Sequence, residues 1–313
     1  MRTVPTLAYH VVDVFTDRPF AGNPLAVVLD ADDLPTDALQ AIALEFHLSE
    51  TAFPMHSSVA DYRLRIFTPV MELPFAGHPS VGTAWLLARL GRIRRGVARQ
   101  ECGAGVLPVD VTGDGATLTG SRPWSGPPLD PEPLLPLVGL DADARPSPPL
   151  AAPHGAHAGG GQGGDESGDG ASDAPRVAGA GVSFVYLQVR MGAVAELSPD
   201  LGGIAQAVQP LGAVGLSVFS WDSEKRRAHA RVFVPGIGED PATGAAAVGL
   251  GVHLAAAGLV PDNETTPFTI SQGVEIRRPS SLECAVTLTS GKVTRTTVGG
   301  TVVHVATGEV ARP

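Results

Sequence analysis

The sequence contains few cysteines, and this excludes most cysteine-based structures. Cys102 and Cys284 are the only cysteines among its 313 residues. They lie in unrelated contexts without the spacing of metal ligands, so we interpret them as two reduced, partly buried thiols and predict no metal site. The alternative is a pair of thiols acting as opposed acid and base. That would require a cysteine beside each of the glycine turns at Gly77 and Gly244, and neither turn has one.

An excess of positive charge is also missing. The chain has 22 Lys and Arg against 32 Asp and Glu, a formal net charge of −10. Nucleic acids and anionic membranes bind basic patches, so neither is an expected partner. A small-molecule ligand remains, and we expect the protein to bind one.

Long apolar runs and several familiar enzyme motifs are absent. No apolar run is long enough to cross a bilayer, and residues 1–15 alternate polar and apolar residues instead of forming the apolar core of a signal peptide. We therefore expect a soluble, cytoplasmic protein. The sequence has no Ser/His/Asp order, lysine-bearing phosphate loop or dinucleotide fingerprint, so nothing favours a hydrolase, a kinase or a dehydrogenase.

The chain does contain one pattern written twice. "RIFTPVMELPFAGHPSVGTA" begins at Arg65, and "RVFVPGIGEDPATGAAA" begins at Arg231. Arg65 aligns with Arg231 and, after one inserted residue, Gly77 aligns with Gly244. Each copy predicts a strand, a Pro/Gly-rich turn and the start of a helix.

A glycine turn at a helix start favours anion binding. The first backbone N–H groups of a helix have no internal partners and lie at the positive end of its dipole. Glycine lets a ligand approach this backbone closely, and a substrate carboxylate is a natural occupant. We expect the two turns to face each other across one cleft.

The remaining patterns predict an α+β protein. "PTDALQAIALEFHL" has a helix start signal and apolar residues at helical spacing, at Leu39, Ile42 and Phe46. Other segments predict strands, including several short strands joined by turns after Thr265. The same order of strands, glycine turns and one helix occurs in both halves of the sequence. This repeat indicates two similar α+β domains, each with its strands around one helix.

One segment departs from this composition. Residues 145–179 are rich in Pro, Gly and Ala and have almost no large apolar side chain, so they predict a flexible insertion. His154 and His157 lie within it, and we interpret them as solvated loop residues, with a metal site as the alternative.

Five blocks of the sequence resemble the phenazine-biosynthesis PhzF-like family. They are "DVFTDRPFAGNPLAVV", "LSETAF", "FTPVMELPFAGHPSVGTA", "RVFVPGIGEDPATGAAA" and "SQGVEIRRPS", in that order. The resemblance implies a fold like that of diaminopimelate epimerase, with two pseudo-symmetric domains. Each is a mainly antiparallel sheet curled around a central helix, with the active site in the cleft between them. It also implies a homodimer without a cofactor. We place the domains at 1–123 and 124–300, with a strand at about 301–313 returning to the first.

The resemblance assigns roles to two residues of the first half. Glu50 matches the acidic residue that, in the family, moves a proton between two substrate carbons; partial burial would raise its pKa for this task. The alternative is an exposed loop glutamate. His78 matches a position that orients or polarises the substrate, and a capping or packing group is the alternative. We expect its imidazole to be neutral because a helix N-terminus disfavours positive charge.

The other candidates surround these two. Asp240 matches a family aspartate that we expect to hydrogen-bond a substrate amine, imine or hydroxyl, with helix N-capping as the alternative. Asn23 is predicted to line the cleft, or else to be a turn residue with positive φ. Ser49 is predicted to donate to a substrate carboxylate, or else to cap a loop.

Position 245 departs from the family. The commonest pattern there is "DPATGS", whereas this chain has Ala245 after Gly244. A hydroxyl that could contact the substrate is therefore missing, although the backbone N–H remains for carboxylate binding. This makes the phenazine precursor a less secure substrate.

The resulting hypothesis is an isomerase that shifts a proton and a double bond within a small carboxylated substrate, a cyclic or unsaturated amino acid. Glu50 would be the acid/base. An epimerase or racemase is a close alternative, but it normally needs a second acid/base group on the opposite face. A binding protein that has lost the chemistry is the alternative of another class.

Overall fold

The computed structural model describes residues 5–146 and 173–313. The elements of the first half are β1 Thr6–Val14, β2 Asn23–Val28, α1 Thr36–Phe46, β3 Thr51–Met55, β4 Tyr62–Phe67, β5 Glu72–Leu73, α2 Gly77–Arg89, β6 Gly96–Cys102, β7 Gly105–Val111, β8 Gly115–Thr119 and β9 Trp124–Pro128. Those of the second half are β10 Arg176–Gly179, β11 Ser183–Gln188, α3 Leu201–Val208, β12 Leu216–Asp222, β13 Arg227–Val234, β14 Gly238–Asp240, α4 Gly244–Ala256, β15 Thr265–Gln272, β16 Ser280–Thr289 and β17 Lys292–Ala311.

The two halves pair their strands in the same order and directions. In the first, β2 is parallel to β3, β3 antiparallel to β4, and β4 parallel to β6, from which β7 and β8 continue antiparallel. In the second, β11, β12, β13, β15, β16 and β17 repeat this arrangement. The predicted α+β class is therefore confirmed, and the sheet is mixed, with more antiparallel than parallel pairs. The division into two domains stays a prediction.

The aligned arginines make the same contact in both copies of the repeat. Arg65 pairs with Glu72 at 2.6 Å, and Arg231 pairs with Glu239 at 2.7 Å. In each case Nε and Nη2 donate to the two carboxylate oxygens. Each pair joins the strand before the turn to the short strand after it, so the turn leading into α2 or α4 is fixed in the same way twice.

The last strand differs from its prediction. Short strands are expected at this end, but Lys292–Ala311 forms one continuous strand of 20 residues, β17. Its first part pairs with β16 and β8, and its end pairs with β1 from Thr6↔Ala311 to Val14↔Val302. The glycine pair at its centre is not a turn. A Cβ on Gly299 would lie 2.4 Å from Thr117 Oγ1, and one on Gly300 would lie 2.9 Å from Phe15, so close packing requires both glycines.

The range predicted for the insertion, 145–179, extends too far at its C-terminal end, because it includes a strand. Arg176–Gly179 forms β10, which pairs with β9 and β11, and Val177 and Ala178 are buried. Small residues that resembled low-complexity sequence therefore form a core strand against α4. His154 and His157 lie outside the described residues.

Two buried helices form the centre of the core. α2 is buried from Gly77 to Leu87 and α4 from Gly244 to Leu254, which explains why small and apolar residues predominate on all sides of both helices. α1 lies outside this core and buries Leu39 and Ile42, as its spacing predicts. Across both described ranges, no helix combines the length and the apolar character needed to cross a membrane.

Candidate active site

The two central helices meet at their N-termini. A Cβ on Gly77 would lie 2.6 Å from Gly244 Cα, and a Cβ on Gly244 would lie 3.0 Å from Gly77 Cα. The two glycine turns predicted to face each other are thus in direct contact. The positive ends of two helix dipoles converge there, and this favours negative charge beside them.

A cavity of about 420 Å³ opens next to this contact. Both turns line it, through Gly77 and His78 from α2 and through Gly244 and Ala245 from α4. Glu50, which directly precedes β3, and Asp240, the last residue of β14, also line it. The structure therefore brings six of the eight predicted site residues to one cavity.

Asn23 and Ser49 are not among the residues that line this cavity, and their roles in substrate binding stay predictions. Asn23 is fully buried behind it and donates through Nδ2 to Asp240 Oδ1 at 2.8 Å and to the Ala242 carbonyl oxygen at 2.9 Å. Ser49 Oγ donates to Asn23 Oδ1 at 3.2 Å. The positive φ suggested for Asn23 belongs instead to Gly22. Asn23 thus orients Asp240, which lines the cavity, and Ser49 holds Asn23 in place.

Asp240 is held by side chains from three elements. Besides Asn23, Thr243 Oγ1 donates to Asp240 Oδ2 at 2.5 Å, and Gln272 Nε2 donates to the Asp240 carbonyl oxygen at 2.7 Å. Gln272 Nε2 also donates to Thr243 Oγ1 at 3.0 Å, which directs the threonine proton to the carboxylate. Thr243, not Asp240, occupies the N-cap position of α4.

Thr243 and Gln272 were missed as site residues. Both lie inside quoted sequence blocks, "DPATGA" and "SQGVEI", but neither is itself acidic or basic. Their hydrogen bond joins positions 29 residues apart, so no local pattern signals it.

His78 is buried between Asn23 and Glu50. Its Nδ1 lies 3.2 Å from Asn23 Nδ2, and its Nε2 lies 3.3 Å from Glu50 Oε2. Burial lowers the pKa of His78 to about 3, so the imidazole is neutral, as expected from its place at a helix N-terminus. Because Nδ1 faces the NH2 group of Asn23, which has no lone pair to accept a hydrogen bond, the ring proton is assigned to Nε2. That proton faces Glu50, although the two groups are not aligned as a hydrogen bond.

Glu50 is a buried carboxyl group and not an exposed loop residue. Burial, and next the negative charge of Asp240, raise its pKa to about 8, while the neighbouring Ser49 hydroxyl opposes the shift. Burial also raises the pKa of Asp240, but Thr243 and Asn23 donate to that carboxylate and favour its charged form. We assign the proton that the pair holds at neutral pH to Glu50.

The raised pKa of Glu50 predicts a pH-dependent stability. Its pKa is 4.5 ordinarily and about 8 in the fold, so the folded protein binds more protons between these values, and the free energy of unfolding falls as pH rises through them. We expect Glu50→Gln to flatten this decrease and to stabilise the protein at pH 8 by about 1–3 kcal/mol. Urea unfolding from pH 6.5 to 8 measures it.

A matched control is Glu45→Gln, which removes an exposed carboxylate from the same region. It should keep the wild-type pH dependence of unfolding. Parallel pH profiles for Glu50→Gln and the wild type would contradict the raised pKa. His78 does not contribute to the pH dependence between 6.5 and 8. Its imidazole is neutral in the fold, so it lowers the free energy of unfolding only as pH falls below about 6.5.

Neither cysteine lines the cavity. Both are free; Cys284 is buried, Cys102 is partly buried, and burial raises the pKa of each thiol. The interpretation as two reduced, partly buried thiols is consistent with this placement. Within residues 5–146 and 173–313, no three His, Cys, Asp or Glu side chains are grouped to hold a metal ion.

A mixed sheet packed around two abutting helices is a class of fold shared with solved structures of the PhzF family. A phenazine biosynthesis protein of the PhzF family from Bacillus anthracis is 26% identical, with a TM-score of 0.82 over 98% of this chain and 99% of that chain. The sequence profile of the phenazine biosynthesis-like protein family (PhzC-PhzF) matches residues 12–129 and 165–308. The chain belongs to this family.

Its relatives include named isomerases. An uncharacterized isomerase of Mesorhizobium japonicum is 35% identical over 97% of this chain and 99% of its own length. A trans-2,3-dihydro-3-hydroxyanthranilate isomerase of Pseudomonas fluorescens is 32% identical over 96% of this chain and 98% of its own length. The protein is therefore an isomerase of the PhzF family.

Proposed function

We propose that this isomerase moves a proton, and with it a double bond, within a small carboxylated substrate, and that Glu50 carries the proton. The observation that supports this most is the pKa of about 8 for a carboxyl group that lines a cavity. Near neutral pH such a group has both protonation states within reach, so it can take up a proton in one step and return it in the next.

The proposed step balances with one proton and two electron pairs. Ionised Glu50 removes a proton from one substrate carbon, and the electrons of that C–H bond form a new double bond. The electrons of the old double bond then take the proton from Glu50 at a second carbon. One C–H bond breaks, one forms, and the carboxylate is regenerated.

The other groups would hold the substrate during this step. The backbone N–H groups at Gly244 and Ala245, together with those at Gly77 and His78, would bind its carboxylate at the joined helix N-termini. Asp240 would accept a hydrogen bond from a substrate amine, imine or hydroxyl. Neutral His78 would polarise the substrate through Nε2–H without adding a full charge.

Epimerisation is a second candidate, and Asp240 favours it. Asp240 is a carboxyl with a raised pKa that lines the same cavity from the other half of the chain, where a second acid/base group would stand. Its two side-chain donors argue for a fixed, charged role instead. We therefore rank the proton shift first.

The experiment is incubation of the protein in D₂O with a panel of unsaturated and cyclic amino acids, read by NMR and mass spectrometry. The panel includes trans-2,3-dihydro-3-hydroxyanthranilate and pyrroline carboxylates. Deuterium at one carbon together with a moved double bond would support the proposal. Deuterium at the α-carbon with inversion would support the epimerase. No exchange, with a ligand bound tightly, would support a binding protein.

A further inference from the structure

The cavity has a polar inner end and an apolar wall. Its polar side chains are Glu50, His78, Asp240 and Thr243 at the helix N-termini, with Thr68 and Glu72 further out. The oxygens of Glu72 are already occupied by Arg65. The rest of the wall consists of Pro, Gly, Ala and larger apolar side chains, the last being Val70, Met71, Leu73, Phe75, Val182, Phe184, Val214, Val234 and Ile237.

The apolar wall continues into solvent at the mouth. Val70 is 77% exposed and Met71 is 56% exposed, in the turn between β4 and β5. Ile237, 37% exposed, occupies the matching turn between β13 and β14. Val214 is 43% exposed and also lines the cavity. Apolar side chains left exposed beside a polar site are typical of surfaces that a ligand covers.

The wall also restricts the charge of a ligand. None of the described residues that line the cavity is Lys or Arg, so a second anionic group, such as a phosphate or a distal carboxylate, has no cationic side chain to pair with there. Hydroxyl or ammonium groups placed against the apolar wall would lose water without gaining a hydrogen bond. The two polar side chains further out already have partners. Arg65 occupies the carboxylate of Glu72, and Thr68 Oγ1 donates to the Met71 carbonyl oxygen and accepts from the Met71 N–H. Uncommitted side-chain partners for polar atoms therefore lie at the inner end.

We propose that the substrate is a carboxylate with an apolar body of ring size or larger, and that Val70, Met71 and Ile237 select for that body. The proposal deepens the proposed function and rests on it for the position of the carboxylate at the helix N-termini. The polar atoms of the substrate lie at the carboxylate end, beside Glu50, and the apolar body extends past Phe75 to the two exposed turns.

Binding of inert carboxylates tests this without turnover. Isothermal titration would compare 2-naphthoate with benzoate, which has a smaller apolar body, and with glucuronate, a ring carboxylate that carries hydroxyl groups. We expect 2-naphthoate to bind about tenfold more tightly than either. Binding of glucuronate as tight as that of 2-naphthoate would overturn the proposal.

Variants of similar shape test whether Val70 and Met71 select for the apolar body of the ligand. The double variant Val70→Thr/Met71→Gln exchanges apolar for polar surface at nearly constant volume, and both sites are too exposed to endanger folding. It should weaken 2-naphthoate binding by about tenfold and change benzoate binding by less than about twofold. The control is Val97→Thr/Met191→Gln, which makes the same exchanges at 71% and 60% exposed positions outside the cavity. Equal effects of the two double variants would overturn the proposal.

Ligand preference and proton exchange, measured separately in the wild type, distinguish this proposal from the proposed function, and Glu50→Gln should keep the preference for 2-naphthoate. That variant keeps the apolar wall and loses the proton carrier. Preference for 2-naphthoate without any proton exchange in the wild type would uphold the apolar substrate and contradict the proton shift. Proton exchange in a substrate with no such preference would uphold the proton shift and overturn the apolar substrate.

Discussion

Glu50→Gln is expected to lower the rate of deuterium exchange into substrate by a factor of about 10²–10⁴, the usual contribution of a positioned acid/base group. An amide has nearly the same shape as a protonated carboxyl group, which is the form that we assign to Glu50 at neutral pH. Packing around the site should therefore persist while the proton carrier is lost. The measurement is the initial rate of deuterium uptake by NMR, with a substrate found among the unsaturated or cyclic carboxylates.

Two controls make this result specific. Glu45→Gln removes an exposed carboxylate five residues earlier in the sequence and should exchange deuterium at the wild-type rate. Binding of 2-naphthoate to Glu50→Gln should stay close to that of the wild type, which would show that the cavity is intact. An exchange rate in Glu50→Gln within about threefold of the wild type would remove Glu50 from the mechanism.

Gly77→Ala is expected to destabilise the fold by about 2–4 kcal/mol, at the upper end of the cost of overpacking. The added methyl group would lie 2.6 Å from the Cα and carbonyl carbon of Gly244, and backbone atoms cannot move aside as a flexible side chain can. Either the two helices separate or the turn distorts. Urea unfolding measures the loss, and the cavity should also lose affinity for carboxylates.

Gly202→Ala is the matched control. Gly202 also lies in the first turn of a helix, α3, but a Cβ there would meet only Asp200 Oδ1, at an ordinary 3.5 Å. Replacing glycine by alanine in a helix is otherwise favourable by about 0.5–1 kcal/mol, so this variant should be as stable as the wild type or slightly more. Similar unfolding curves for both variants would show that the contact between α2 and α4 contributes little.

The architecture was largely predictable because the sequence contains an internal repeat. The aligned arginines and glycines, Arg65 with Arg231 and Gly77 with Gly244, predicted two equivalent strand, turn and helix units, and both are present. The pairing of the end of β17 with β1 in the first half was less accessible. It depends on pairings across nearly the whole chain, such as Thr6↔Ala311, and the resemblance to a known family suggested it where periodicity did not.

The site was only partly predictable. Glu50, His78 and Asp240 were found through the family blocks, since local sequence does not distinguish a buried glutamate from one in an exposed loop. Burial and the nearness of Asp240, 190 positions away in the chain, set the pKa of Glu50. Asn23 and Ser49 illustrate the same limit, because their place behind the cavity follows from packing and not from spacing.

The sheet of the first half is complete only after β17 has been synthesised, because β17 provides one of the two neighbours of β1. On one side β1 pairs with β2, and on the other it pairs only with the end of β17, the last of the described strands to be translated. Until then β1 is an open edge strand, able to pair with another chain. During translation, the nascent first half is therefore exposed to intermolecular association, and slow elongation through the second half should raise the risk of aggregation.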